Sequence, residues 1–212
     1  ERLLNAAQKP QNWLMWSGTY NGWGYSKLSQ INKSNVANLR PVFQASIGGN
    51  ATSSFPSARE NTQSKPLVED GFMYLTDSHG KLMKFDVHSG NRAYPLWRWD
   101  PETDKQPRAR GIGLFRDTVI QVAGTSLIAV HKGSGEPAWE VDVVEASIAD
   151  IGLDPASNRS VRGVPTALRT AGGQEIVGAG AHGAGVGWFG AWNANTGEIA
   201  WRTRTIPLPG DP

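Results

Sequence analysis

A glycine-rich segment around residue 180 has the spacing that most directly suggests ligand binding. It reads Gly178-Ala-Gly-Ala-His-Gly183 and follows the apolar run Glu175-Ile-Val177. The pattern Gly-x-Gly-x-x-Gly binds a dinucleotide when a helix follows, because the helix N-terminus holds the pyrophosphate. Here Ala-Gly-Val-Gly-Trp follows, which predicts another hairpin. We therefore favour glycines that let the backbone approach a ligand or a molecular axis closely, with the dinucleotide site as the alternative.

Other residues of catalytic or metal-binding type lack the spacing of a known site. The chain has no Cys, which excludes disulfides and thiolate metal sites. His79, His88 and His131 stand at or beside turn residues without zinc-ligand spacing, and we expect them to be solvated. No Gly-x-Ser-x-Gly occurs at a strand-to-helix turn, so a Ser-His-Asp hydrolase is not supported.

The elements that must position any site are short strands joined by tight turns. Apolar runs with period-two alternation are bounded by Gly, Asp and Ser, as in 71–77 and 118–122, and this is the pattern of strands. Helical signal is limited to one or two turns in 29–39 and in 143–151. The 25 Gly and 13 Pro among 212 residues also argue against a helix-rich bundle.

One hairpin recurs three times along the chain. Each copy reads as strand, tight turn with Gly, and returning strand with Trp. The turn glycines and their tryptophans are Gly90 with Trp97, Gly135 with Trp139, and Gly197 with Trp201. A second type of hairpin, with turns or strand starts at Asp70-Gly71 and Arg116-Asp117, precedes two of the copies.

This repeat predicts an all-β fold, a β-propeller built from four-stranded antiparallel blades. A β-sandwich is the alternative, although a sandwich gives no reason for the same Gly and Trp to recur. About three repeats are visible, and residues 39–45 could add a leading outer strand. Since propellers close with about four to eight blades, we expect an incomplete ring. Residues 1–212 would be the N-terminal part of a propeller domain, with three to four blades.

Charge and hydropathy narrow the possible functions. The chain has 21 Lys and Arg against 19 Asp and Glu, interspersed along the sequence, for a net charge of +2. That balance argues against a nucleic-acid or membrane-surface role. No apolar run approaches the roughly 20 residues of a membrane-spanning helix. We therefore expect a chain without a membrane span and without a nucleic-acid partner.

The repeat ending Thr-Gly-x-x-x-Trp, together with the opening Trp16 to Phe43, resembles the quinoprotein alcohol and methanol dehydrogenases. Further matching segments cover nearly the whole chain: K-P-L-V-E-D-G-F-M-Y-L-T from Lys65, R-G-I-G-L-F from Arg110, G-V-P-T-A-L from Gly163, and P-G-D-P from Pro209. The resemblance implies an eight-bladed propeller that uses pyrroloquinoline quinone and a calcium or lanthanide ion. It also implies that the Trp residues at blade ends lock neighbouring blades together.

The resemblance also implies where the cofactor would be held. The cofactor-binding positions are Gln63, Arg110, Arg162, Gly180, Ala181 and His182, and His182 is the metal position. Among the polar positions, only Arg110 keeps the family residue. The family's Glu falls on Gln63, its vicinal Cys pair on Asp104 and Lys105, its Thr on Arg162, and its metal-binding Glu on His182. An imidazole suits calcium or a lanthanide poorly, whereas paired guanidinium groups suit a polycarboxylate anion. For Arg110, a structural ion pair with Asp117 or another carboxylate is the alternative.

Two functions remain open. The first is part of a quinoprotein-type oxidoreductase that oxidises an alcohol or related hydroxyl compound and passes electrons to a cytochrome or other acceptor. The second is a non-catalytic propeller that has lost the quinone site and acts as a binding or assembly module. The family's catalytic residues belong to later blades, so we expect none here and expect a partner: the remainder of the propeller, as a second chain or as a C-terminal part. The resemblance implies a periplasmic or secreted location.

Overall fold

The computed structural model describes residues 2–47, 63–77, 80–89, 93–101, 110–144, 151–153, 161, 163–183, 186–207 and 210, without the side chains of 181–183 and 186. Twelve strands form three four-stranded antiparallel sheets within these ranges. Two 3-10 turns, Ala6–Gln8 and Val36–Asn38, are also described. No helix among these residues is long and apolar enough to cross a bilayer.

Each sheet is a meander of four consecutive strands. The first contains β1 (Leu67–Glu69), β2 (Phe72–Thr76), β3 (Leu82–Asp86) and β4 (Trp97–Trp99). The second contains β5 (Ile112–Phe115), β6 (Thr118–Ala123), β7 (Ser126–His131) and β8 (Pro137–Asp142). The third contains β9 (Thr166–Arg169), β10 (Glu175–Gly183), β11 (Val186–Asn193) and β12 (Ile199–Arg204).

Turn chemistry explains why the strands reverse where they do. Asp70 and Gly71 both have positive φ between β1 and β2, and Arg116 has φ 45° between β5 and β6. Both turns were predicted from the sequence, and the structure confirms them. Asp and Gly tolerate this left-handed region, whereas Arg adopts it at a cost that the surrounding sheet must offset.

The second sheet is buried on both faces. Alternate residues of β6 point to opposite sides, as the period of two requires. Ile120 belongs to a cluster with Val177 and Trp188 of the third sheet. Val119 belongs to a cluster with Leu67 and Tyr74 of the first sheet. The three sheets therefore follow one another in chain order, each packed on the next.

Tryptophans from the last strands hold neighbouring sheets together. The indole of Trp97 on β4 donates a hydrogen bond from Nε1 to the carbonyl of Lys132, at 3.0 Å, and lies against Gly135 in the β7–β8 turn. The indole of Trp139 on β8 donates to the carbonyl of Ala194, at 3.2 Å, and lies against Gly197 in the β11–β12 turn. These contacts are the predicted locks between blades.

The last tryptophan has no such turn to pack on within the described part of the chain. Trp201 on β12 is 44% exposed, and its ring centroid lies 5.6 Å from that of Phe189, which is also exposed. The outer face of the third sheet therefore presents two large aromatic side chains.

Residues 39–45 form no strand, which corrects one expectation. Ala45, at the end of this segment, and Ile47 instead pack against Leu75 and Phe85, on the face of the first sheet away from the second. Within the described ranges the segment pairs with no strand of the three sheets. The turn expected in 29–39 is present as the short 3-10 turn Val36–Asn38, while most of 143–151 lies outside the described residues.

Candidate functional site

The starts of the first strands of the three sheets lie at one end of the molecule. An added Cβ at Gly111, just before β5, would lie 2.9 Å from both the Trp16 ring and Val164, which stands two residues before β9. The ring of Trp16 is in turn 4.8 Å from Nζ of Lys65, two residues before β1. We call Trp16, Lys65, Arg110 and Gly111 the strand-start cluster.

Backbone pairing brings the N-terminal segment into this position. Trp13 and Val68 exchange two backbone hydrogen bonds, of 2.8 and 2.9 Å, which attaches residues 13–16 to the free edge of β1. Farther along the segment, the Tyr20 hydroxyl donates to the carbonyl of Ala167 on β9, at 2.7 Å. Burial raises the pKa of Tyr20. The N-terminal segment therefore lies across first strands of two different sheets.

A small apolar cavity lies beneath the segment. Its volume is about 180 Å³, and Leu14, Met15, Ile112, Leu114 and Pro165 contribute much of its wall. Gly113 also faces this region, where an added Cβ would lie only 2.4 Å from the carbonyl oxygen of Pro165. The close approach of β5 to the residues before β9 therefore requires glycine.

The cations of the strand-start cluster have no carboxylate partner among the described residues. Lys65 and Arg110 are both exposed, and neither takes part in an ion pair there. The alternative partner considered for Arg110 was Asp117. Asp117 follows the C-terminal end of β5, whereas Arg110 precedes its start, and the Asp117 carboxylate lies 3.4 Å from Nδ1 of His131. The expected ion pair with Asp117 is therefore wrong.

Carboxylates near the strand starts interact elsewhere in their own sheets. The backbone N–H of Lys81 donates to Asp77, at 2.9 Å, and its ammonium group pairs with Asp100, at 2.7 Å. Asp142 accepts a hydrogen bond of 2.6 Å from the Thr125 hydroxyl. Within the described ranges, none of these three carboxylates forms an ion pair with Lys65 or Arg110.

The glycine-rich segment forms strand β10, and the hairpin predicted after it is present. Gly180, Ala181 and His182 lie on β10, where His182 is paired in register with Gly187 of β11. An added Cβ at Gly180 would lie 2.7 Å from the carbonyl oxygen of Trp188, so the glycine is needed for close packing. The dinucleotide alternative is wrong because a strand, not a helix, follows.

The structure places only some of the predicted site residues. Gln63 and Arg110 are described and exposed, before β1 and β5 respectively. Arg162, Asp104 and Lys105 lie outside the described residues, as does the side chain of His182, so their roles stay predictions. Sequence reasoning missed Trp16 and Lys65, although both stand in segments that carried the resemblance. A basic residue directly before Pro66 at a strand start was the available signal.

A second charged cluster lies at the opposite end of the first strands. Nζ of Lys132 is 2.7 Å from Glu69 and donates to the carbonyl of Arg116, also at 2.7 Å. Arg2 pairs with the same carboxylate, at 2.6 Å. Burial lowers the pKa of Lys132, and the adjacent Glu69 opposes that shift. This cluster joins the first two sheets, and we assign it a structural role.

Comparison with known proteins decides the family. The model of the PQQ beta-propeller domain of glucose/ethanol/alcohol dehydrogenases matches residues 13–207. The chain belongs to this propeller family. The quinone-dependent alcohol dehydrogenase subunit of Acetobacter aceti is 31% identical to this propeller chain over 98% of its length. The chain spans 27% of that relative.

Solved structures show the same fold. Quinohemoprotein alcohol dehydrogenase from Comamonas testosteroni superposes with a TM-score of 0.76 at 25% identity, over 98% of this propeller chain and 29% of that protein. A europium-containing methanol dehydrogenase superposes with a TM-score of 0.75 at 20% identity, over 97% of this chain and 34% of that one. The three sheets are therefore consecutive blades of a partial ring, as predicted.

Proposed function

We propose that the chain supplies part of the quinone-binding hub of an alcohol-oxidising quinoprotein. The observation that carries the proposal is the position of Arg110, exposed just before β5 and without an ionic partner among the described residues. Membership of the propeller family supplies the chemistry that such a cation serves.

The residues at the strand starts fit an anionic quinone. Pyrroloquinoline quinone carries carboxylates, and a guanidinium fork can bind a carboxylate through two parallel hydrogen bonds. Arg110 would hold one carboxylate, and the exposed amide of Gln63 can donate a further hydrogen bond. Arg162, Gly180, Ala181 and His182 remain the other proposed contacts. When bound, the quinone accepts the electrons removed from the alcohol, while these residues bind and orient it.

The same residues do not fit a calcium or lanthanide ion. Hard cations prefer several carboxylate and carbonyl oxygens, whereas the proposed positions offer the Gln63 amide and the His182 imidazole. Within the described ranges, no group of three or more His, Asp or Glu side chains is placed to hold a metal. A metal ion therefore has no assigned role at these residues, and His182 as a metal ligand stays a prediction.

We propose that the remainder of the propeller is the chain's partner. Trp97 and Trp139 each pack on a glycine turn of the following sheet, and Trp201 occupies the equivalent place on the third sheet. A further blade with a glycine turn would cover its exposed ring. A cytochrome or other electron acceptor and a periplasmic or secreted location complete the proposal.

A non-catalytic propeller is the second candidate. The neutral amide of Gln63 and the imidazole of His182 favour it, because neither supplies the charge that a hard metal ion needs. Such a protein would keep the tryptophan locks and use its surfaces for binding or assembly.

The test is quinone retention by the full natural polypeptide that contains these residues. The protein is incubated with pyrroloquinoline quinone, with and without calcium or lanthanum, dialysed, and assayed for quinone absorbance and for dye-linked oxidation of primary alcohols. Arg110→Gln is compared with Arg40→Gln, whose guanidinium donates only to local backbone carbonyls.

We expect the wild type and Arg40→Gln to retain quinone and Arg110→Gln to lose most of it. Retention with alcohol oxidation supports the enzyme. Failure of the wild type to bind quinone under every metal condition would refute the enzyme and favour the non-catalytic propeller.

A further inference from the structure

The strand-start cluster contains a cation, Lys65, that is not among the cofactor-binding positions implied by the family resemblance. The ammonium group of Lys65 lies over the ring of Trp16, at 4.8 Å from its centroid. An ammonium group at this distance is attracted to the electron-rich face of an indole. Trp16 thereby restrains a side chain that would otherwise sample many rotamers in solvent.

The same ring lies between Lys65 and the backbone beside Arg110. Its edge fills the space beside Gly111, where an added Cβ would lie 2.9 Å from Cε3 and Cζ3. Arg110 is the residue directly before that glycine. The indole of Trp16 therefore lies beside the start of β5 with its edge, and its face contacts the ammonium group of Lys65, two residues before β1.

Two cations at this end are available to an anionic ligand. Lys65 and Arg110 are exposed and form no ion pair within the described ranges. Asp77, Asp100 and Asp142, the carboxylates at the same ends of their strands, contact residues of their own sheets instead. An anion that approaches the cluster would therefore meet two cations that are not held by these three carboxylates.

We infer that Lys65 is a second carboxylate-binding residue of the quinone site and that Trp16 is its positioning residue. The inference rests on the proposed function, because it takes the quinone as the anion. An ammonium group and a guanidinium group held on two strands suit a rigid ligand with more than one carboxylate. Lys65 donates to one carboxylate and Arg110 to another, so the two cations together set the orientation of the ring system.

The inference makes Lys65 more than a surface lysine. A lysine held only by cation–π contact would leave ligand affinity unchanged when its charge is removed. If Lys65 binds a carboxylate, removal of its charge should instead weaken ligand binding about tenfold. Arginine at the same position should restore the affinity, since it can also make charge-assisted hydrogen bonds to a carboxylate. Loss of Trp16 would weaken binding less, because the ammonium group would remain but would no longer be restrained.

The experiment measures pyrroloquinoline quinone binding by equilibrium dialysis on the full natural polypeptide. The variants are Lys65→Gln, Lys65→Arg, Trp16→Phe and Trp16→Leu. Lys33→Gln is the matched control, because Lys33 is exposed and belongs to a segment outside the cluster. Thermal midpoints are recorded for every variant, and affinity is measured at low and at high salt.

We expect Lys65→Gln to weaken quinone binding about tenfold and to flatten its salt dependence, with Lys65→Arg and Trp16→Phe close to the wild type. Trp16→Leu should weaken binding several-fold at an unchanged salt slope. If the wild type binds quinone and Lys65→Gln binds equally well, the inference is overturned while the proposed function stands. If the wild type binds no quinone, both are overturned.

Discussion

The contact between Trp97 and Gly135 can be tested by adding a single methyl group. Gly135 has φ +81°, and an added Cβ would lie 2.8 Å from Cδ2 of the Trp97 indole. Gly133 stands in the same turn, has no positive φ, and has nothing within 4 Å of an added Cβ. The pair Gly135→Ala and Gly133→Ala therefore separates the contact from the general effect of alanine in the turn.

The expected cost follows from three contributions. A left-handed backbone costs an alanine about 1–2 kcal/mol. Moving the indole also weakens its hydrogen bond to the carbonyl of Lys132, worth about 1 kcal/mol, and disturbs its packing. Gly135→Ala should thus lower the free energy of unfolding by about 2–4 kcal/mol. Gly133→Ala should change it by less than about 0.5 kcal/mol, or stabilise slightly through the unfolded state.

Guanidinium-induced unfolding, followed by far-ultraviolet circular dichroism, measures both variants. The double variant Gly135→Ala/Trp97→Leu isolates the steric part, because with a smaller side chain only the backbone cost of about 1–2 kcal/mol should remain for the alanine. Equal stability of Gly135→Ala and Gly133→Ala would refute the claim that packing of Trp97 on Gly135 stabilises the junction between the first two sheets. An alanine cost that is the same with and without Trp97 would assign the whole effect to backbone conformation.

Three further predictions concern stability. Burial raises the pKa of Tyr74 to about 12, above the value near 10 of an unfolded tyrosine, so wild-type stability should fall by about 1–3 kcal/mol relative to Tyr74→Phe between pH 10 and 12; parallel pH profiles in denaturant titrations would contradict this. Glu69→Gln should cost about 3 kcal/mol because it leaves the Lys132 ammonium buried without its carboxylate, and calorimetry should show recovery in Glu69→Gln/Lys132→Met; no recovery would exclude the explanation. Trp201→Ala should destabilise the full natural polypeptide by about 2 kcal/mol in denaturant titrations, as burial beneath a further blade requires, whereas unchanged stability would indicate that this indole stays exposed.

Local sequence was sufficient to predict the blades. Turn residues such as Asp70-Gly71 fix where strands reverse, and a Gly and a Trp at matched places fix how successive sheets meet. The third repeat was recognised from Gly197 and Trp201, which stand at the same places as in the first two copies. Residues 39–45 were predicted wrongly, because their apolar pattern does not encode whether a partner strand is present, and they pair with none of the described strands.

The candidate site was harder to predict because it depends on contacts between distant segments. Arg110 was singled out because the resemblance places the family's quinone-binding Arg at this position. Lys65 and Trp16 could not be found in this way, since the cation–π contact joins residues 49 positions apart, and the edge of the same ring reaches Gly111. No periodicity or spacing encodes such a contact, which arises only when the N-terminal segment pairs with β1 and crosses the strand starts.

The packing of a tryptophan of one sheet on a glycine turn of the next affects how the number of blades can change. At the two described junctions, Trp97 packs on the Gly135 turn of the next sheet and Trp139 on the Gly197 turn of the sheet after it. If the whole ring follows this pattern, removal or duplication of a sheet takes away or adds a matched Trp and Gly. The remaining junctions keep their complementarity. A propeller built in this way can gain or lose one blade in a single genetic event while the interfaces between the other blades stay complementary.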